Sequence, residues 1–348
     1  MKRYIRRLQF TGKSTYIVSL PKSWVLNQGL NAKSQVVIEE KGGQLIIKPT
    51  VISQEKKEKT AVIQLDNESP EAISRRIISA YVMGFDRIIL KFSKPITPLI
   101  RNSIRELIVN KTPGVEVISE DEREIHLFVL LNPLNTPLQD TIKRLVRVVR
   151  SIIQDACSYI RETIEIPMDQ LVREDDSVDR VYFYTIRVLN KIAEGYMEVE
   201  DEKIDIKTLL AYRSLSKLLE RIGDHAVNIA LNTSKLKGRE DIAREVSELC
   251  IEARDIYIES TESFLNAKPG VIDEIALKTS LLREKERKLF TSYVGSLDPQ
   301  VLASLQLVLE SIRRIAEYSK DIAELALDLA IDKILVKNQG GVTEDIES

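Results

Sequence analysis

Two stretches of the chain repeat one another at an offset of 93 residues, and this repeat limits the possible folds more than any other feature. The first, Leu218 to Ala230, spaces Glu220, Asp224 and Asn228 four residues apart, so on a helix the three side chains stack on one face. Ile222 and Ile229, with the small Gly223, Ala226 and Ala230, form an apolar flank that lets neighbouring helices approach closely. The second stretch, Arg313 to Ala323, repeats the pattern less faithfully, with Arg314 standing where Arg221 does. A chain built this way holds two related helical units.

Helical patterning continues on both sides of the repeat. Six long helices are expected over about 137–165, 168–198, 205–236, 239–267, 270–297 and 299–336. Their breaks fall at Pro167, the acidic turn from Glu198 to Glu202, Gly238, Pro269 with Gly270, and Asp298 with Pro299. Helices of this length suit bundles, and the repeat divides them into two three-helix units, 134–236 and 239–336. Residues 337–348 read as a disordered tail.

The region 60–132 has a different rhythm: a strand (Ala61–Leu65), a helix (Pro70–Met83), a strand (Arg87–Phe92), a helix (Pro98–Val109), then a hairpin (Val115–Ser119 and Glu124–Leu131). This is a small α/β domain with no phosphate loop, acidic pair or nucleophile motif, and His126 reads as structural. The polar run Ser53–Lys59 is a linker before it, and Asn132–Pro137 is a rigid connector after it.

Residues 1–50 read as short strands around one short helix: Tyr4–Phe10, Thr15–Leu20, a turn or two over Lys22–Gln28, and a hairpin of Gln35–Glu40 with Gln44–Lys48. Nine lysines and arginines stand here against Glu39 and Glu40, a net charge of +7, so the remaining chain carries −9 of the overall −2. A basic head on an acidic body points to two partners of opposite electrical character. A unit of this size has too little core to stand alone, which favours oligomerisation.

The order Leu8-Gln9, Thr11-Gly12, Thr15-Tyr16, Val18 to Lys22, Trp24, Gly29-Leu30, Val36, Ile38-Glu39, Leu45 and Ile47 resembles the SpoVT/AbrB (MazE-like) swapped-hairpin DNA-binding domain. That resemblance implies an obligate dimer whose hairpins interleave into one β-barrel. It also implies DNA contacts from Arg3, Arg6, Arg7, Lys13 and Lys22. Asn31–Ser34 departs from the family pattern, lacking the usual Gly-Asp before the second hairpin. The competing reading makes these cations solubilising and the head a dimerisation module only.

Composition narrows the function further. No apolar run approaches the roughly 18 residues that cross a bilayer. The N-terminus lacks the apolar core of a secretory signal, so a cytoplasmic location without membrane insertion is expected. Cys157 and Cys250, both on helical stretches, fit a reducing compartment and give no metal-site spacing. With two histidines and no Ser/His/Asp or Cys/His constellation, the chain is not expected to be an enzyme.

The acidic row is the other candidate site. Glu220 and Asp224 on one helix, with Asp175 and Asp179 four apart on the preceding one, can converge into an oxygen-rich site for a hard cation. Carboxylates gathered this way repel one another unless a cation answers them. The plainer alternative is solvated surface acids paired with Lys217 and Arg221. Glu220 to Ala230, the upstream Asp175 to Tyr182 and the duplication resemble the PhoU family of phosphate-signalling regulators over about 134–336. The resemblance implies two three-helix bundles, each with an acidic motif able to hold iron, zinc or another divalent metal, in a non-enzymatic cytoplasmic adaptor that contacts the phosphate ABC transporter or its sensor machinery. Carried onto this chain, Asp175, Asp179, Glu220 and Asp224 are the metal set. A weaker second set is Glu317 and Asp321, where Arg313 replaces the counterpart of Glu220 and where Glu284 or Glu286 is the candidate from the partner helix. His225 is expected to pack, facing away from the acids.

The expected molecule is therefore multidomain and mainly α: two PhoU-like bundles, a small α/β domain and an N-terminal swapped-hairpin barrel. Its expected function is a homodimeric DNA-binding regulator of phosphate uptake, with a transporter-restraining adaptor as the alternative.

Overall fold

A computed structural model describes residues 3–12, 14–41, 43–50, 58–131, 137–162, 167–194, 204–236 and 239–339. The chain divides into two compact units, Met1–Glu58 and Lys59–Ser348.

In the first unit, β1 (Gln9–Thr11) pairs antiparallel with β2 (Thr15–Ile17), closed by Gly12 at a φ of 63°. Helix α1 (Lys22–Asn27) follows, then β3 (Val36–Lys41) and β4 (Gln44–Pro49) pair as a second hairpin. The strand expected from Tyr4 is shorter, because no described strand lies opposite residues 4–8 to complete a ladder. Among the described residues the two hairpins stay as separate two-stranded sheets, and the single chain closes no barrel. No described residue before Thr50 is buried: Ile5, Leu8, Phe10, Tyr16, Ile38 and Leu45 all face solvent.

The second unit begins with a four-stranded sheet in the order β5-β6-β8-β7, formed by β5 (Thr60–Leu65), β6 (Arg87–Phe92), β7 (Val115–Glu120) and β8 (Glu124–Val129). β5 and β6 are parallel, joined by α2 (Pro70–Val82), and the remaining pairings are antiparallel. Helices α2 and α3 (Pro98–Lys111) start at Ser69 and Thr97, whose hydroxyls accept the backbone N–H groups of Ala72 and Ile100. Alternation buries Ile88, Leu90, Phe92, Ile125, Leu127 and Val129 on one sheet face, under Ile73, Ile77, Tyr81 and Ile104 from the two helices. The elements follow the sequence expectation to within a residue or two.

The rest is helical: α4 (Leu138–Glu162), α5 (Met168–Ala193), α6 (Ile206–Thr233), α7 (Glu240–Leu265), α8 (Ile272–Tyr293) and α9 (Pro299–Gln339). Each expected helix is present. The main differences are single 3-10 turns at Ser234–Leu236 and Pro269–Val271, α8 ending at Tyr293 instead of residue 297, and α9 running three residues into the expected tail. The expected breaks at Glu198–Glu202 and Gly238, most of the linker before Lys59 and most of the connector before Pro137 lie outside the described residues. One core unites both bundles, because α9 packs along α6, α7 and α8 while α4 packs on α7. Gly223 is needed at the α5–α6 crossing: a Cβ there would lie 3.0 Å from a methyl of Val178.

One expectation is overturned. Cys157 on α4 and Cys250 on α7 are joined as a disulfide across 93 residues, so they give no support to a reducing compartment. Their spacing equals the repeat offset, so the bond links corresponding points of the two units. No described helix is long and apolar enough to cross a membrane.

Candidate functional site

The acidic row forms where α5 meets α6, and the structure brings all four expected carboxylates into one field. Asp224 is pushed up to about 7, first by desolvation and then by the charges of Glu220, Asp175 and Asp179. Asp175 is also raised, by desolvation first and then by Asp179, with Lys111 opposing. Asp175 and Asp224 are thus each raised in part by the negative charge of their neighbours on the two helices.

The cation that answers them was not legible in the sequence. Lys111, the last residue of α3, places its Nζ 2.8 Å from Asp179, 3.2 Å from Asp176 and 3.8 Å from Asp175. Burial disfavours that ammonium, yet its hydrogen bonds and ion pairs with Asp179 and Asp176 outweigh the penalty and hold its proton more tightly than usual. Lys217 takes Glu220 at 2.7 Å on the other helix. Asp224 has no ion pair among the described residues and lines a cleft of about 1,010 Å³ with Arg75, Asn110 and Lys111. In this arrangement the carboxylates do not fit a metal ion: Asp179 on α5 and Glu220 on α6 are already engaged by ammonium groups, which leaves too few free carboxylates between the two helices. Among the described residues, no group of three or more Asp, Glu, His or Cys is arranged to hold one.

Helix α5 also receives the ends of α2 and α3. Arg187, almost wholly buried, donates to the carbonyls of Tyr81 and Phe85 at 2.7 Å and to Asp86 at 2.9 Å. Lys191 reaches Asp86 at 2.7 Å, and Asn190 donates to the carbonyl of Val82 at 2.7 Å. Arg180 donates to the carbonyl of Val109. Helix C-termini leave carbonyls unsatisfied, and cations favour that end of the helix dipole. One face of α5 therefore caps both helices and fixes the α/β layer on the first bundle. Arg187 and Lys191 look, in sequence, like ordinary charges on an amphipathic helix; only their contacts with residues about 100 positions away give them a role.

In the second repeat, Arg313 occupies the place of Glu220 and binds Glu317 at 2.7 Å, with Glu286 at 3.8 Å. Asp321 is raised by burial and by neighbouring acids. Glu317 is thus engaged from its own helix. His225 packs as expected, its ring 5.8 Å from that of Tyr318 and its Nδ1 3.4 Å from the Ser311 hydroxyl.

In the N-terminal unit, Arg3, Arg6, Arg7 and Lys22 are exposed and make no ion pair among the described residues. Arg3, Arg6 and Arg7 lie on the leader ahead of β1 instead of on it, with Arg6 stacked over Tyr4 at 5.6 Å. Lys13 lies outside the described residues.

Comparison with known proteins agrees with both parts. Residues 142–233, spanning α4 to α6, match the PhoU domain family, and residues 9–55 match the family described as antidote-toxin recognition MazE, bacterial antitoxin. Among solved structures, PhoU from Pseudomonas aeruginosa is similar at 18% identity and a TM-score of 0.46, covering 56% of this chain and 96% of that one. None of the curated proteins matches the chain.

Proposed function

We propose that this chain, which carries a PhoU domain behind a MazE-like head, is a homodimeric cytoplasmic regulator of phosphate uptake that binds DNA through that head. The observation that carries the reading is the state of residues 3–50. Their apolar side chains lie uncovered, which a second copy interleaving its hairpins would remedy. Beside them stand Arg3, Arg6, Arg7 and Lys22, with no acidic partner among the described residues, as a phosphate-binding surface requires. The helical body is the sensor. A ligand or transporter subunit that prefers one arrangement of the body would shift the population of head arrangements on DNA. The acidic row enters this scheme without a metal, since its α5 carboxylates are held by Lys111.

The test is a mobility-shift titration of the full-length protein on promoter DNA of phosphate-uptake genes, repeated over a range of salt. Binding should weaken steeply with salt, and Arg6→Ala with Arg7→Ala should lower the log–log slope by roughly 3–4 for the four arginines of a dimer. No retention of DNA at low salt would favour the second reading, in which the head only dimerises and the body acts as a protein adaptor. The family description of residues 9–55, which concerns recognition between proteins, is the observation on that side.

A further inference from the structure

We propose that Lys111 is the built-in counter-ion of the first acidic row, so that the row works as a latch for the α/β layer and not as a metal site. The inference is independent of what the head binds. Three carboxylates of α5 lie within 3.8 Å of one ammonium that comes from a different layer of the fold. A divalent cation shared by α5 and α6 would need Asp175 and Asp179, whose nearest oxygens face the Lys111 ammonium at 3.8 and 2.8 Å. The second repeat makes the same substitution by a different route: Arg313 puts a guanidinium against Glu317 and Glu286. Each row therefore has side-chain cations on part of its carboxylates: Asp176, Asp179 and Glu220 in the first, Glu317 in the second.

The two routes have different consequences. Arg313 draws its acids from its own helix and from α8, both within the second bundle, so it ties no other layer to it. Lys111 ends α3, and its ion pairs join residues 64 to 68 positions apart in sequence. Removing its charge frees the C-terminus of α3 from α5, leaving Arg180 on the Val109 carbonyl as the neighbouring tie. The second latch, Arg187 and Lys191 on Asp86, holds the end of α2 and is untouched. Loosening is then confined to α3.

Full-length Lys111→Met, Lys111→Arg and Asp179→Asn separate the possibilities, read by amide hydrogen exchange and by manganese uptake in equilibrium dialysis. In Lys111→Met, amides of residues 102–111 should exchange at least about tenfold faster while those of α2 stay as in the parent; Lys111→Arg should retain protection. Asp179→Asn should loosen the same segment, and the double variant Lys111→Met/Asp179→Asn should be no looser than Lys111→Met, because both changes break one contact. The parent should take up no manganese that depends on Asp179, whereas Lys111→Met, with its carboxylates unanswered, should gain uptake that Asp179→Asn removes. Manganese uptake by the parent that Asp179→Asn abolishes would overturn the proposal, as would unchanged exchange of α3 in Lys111→Met.

Discussion

Breaking the bond between Cys157 and Cys250 is the perturbation expected to weaken the helical body most. The bond closes a loop of 93 residues, and in the chain-entropy account a loop of that size restricts the unfolded chain by roughly 4–5 kcal/mol. This is an upper figure, because α4 and α7 also pack on each other and share the core completed by α9. For a body of this size, each kcal/mol moves the melting temperature by about 2–4 °C, so the full effect is a drop of roughly 8–20 °C. The assay is a thermal melt of the parent with and without reductant, beside Cys157→Ala/Cys250→Ala without reductant. Both sulfurs are buried, so the reductant has to be present through a slow unfolding cycle. The double variant should melt with the reduced parent. Coincident melts for all three samples, or two titratable thiols in denatured, non-reduced parent, would refute the reasoning.

Three further outcomes follow from the contacts around α5 and α6. Asp86→Ala leaves Arg187 buried without its carboxylate and should cost about 3–5 kcal/mol in a denaturant melt, with Arg187→Met less damaging because it removes the charge itself. Asp224 has a folded pKa of about 7, above its unfolded value, so the folded state holds the proton more tightly: its contribution is full below about pH 4 and is lost as the pH rises towards 7. Asp224→Asn should flatten that pH dependence of stability. The carboxyl is more than a third exposed, so solvent screening limits the effect to about 1–2 kcal/mol. Gly223→Val should destabilise by roughly 1–3 kcal/mol through overpacking against Val178, measured in the same melts.

The helices were legible because periodicity, proline breaks and glycine stops act over a few residues. So were the strands of 60–131, whose alternation matches the sheet face that is buried. The gathering of Asp175, Asp179, Glu220 and Asp224 was legible too, because a four-residue spacing on two successive helices leaves few other geometries. What answers that charge was not. Lys111 ends a helix in another layer, and nothing within ten residues of it distinguishes it from the other lysines. The clamp of Arg187 and Lys191 on Asp86 escaped for the same reason, its partners being more than 100 positions apart. The disulfide did leave a trace. Two cysteines separated by the repeat offset occupy corresponding places in two related bundles, and such places meet wherever the bundles face each other across an axis of internal symmetry.

Helix α9 carries a consequence for how the protein comes into being. Leu305, Val308, Ile312, Ile315 and Ile322 fill the interior that α6, α7 and α8 line. These residues come after every other described long helix in chain order, so neither bundle has its full interior until α9 has been made. A nascent chain stopped before Pro299 would present an open trough of apolar side chains to chaperones and proteases, and maturation of the body waits on α9.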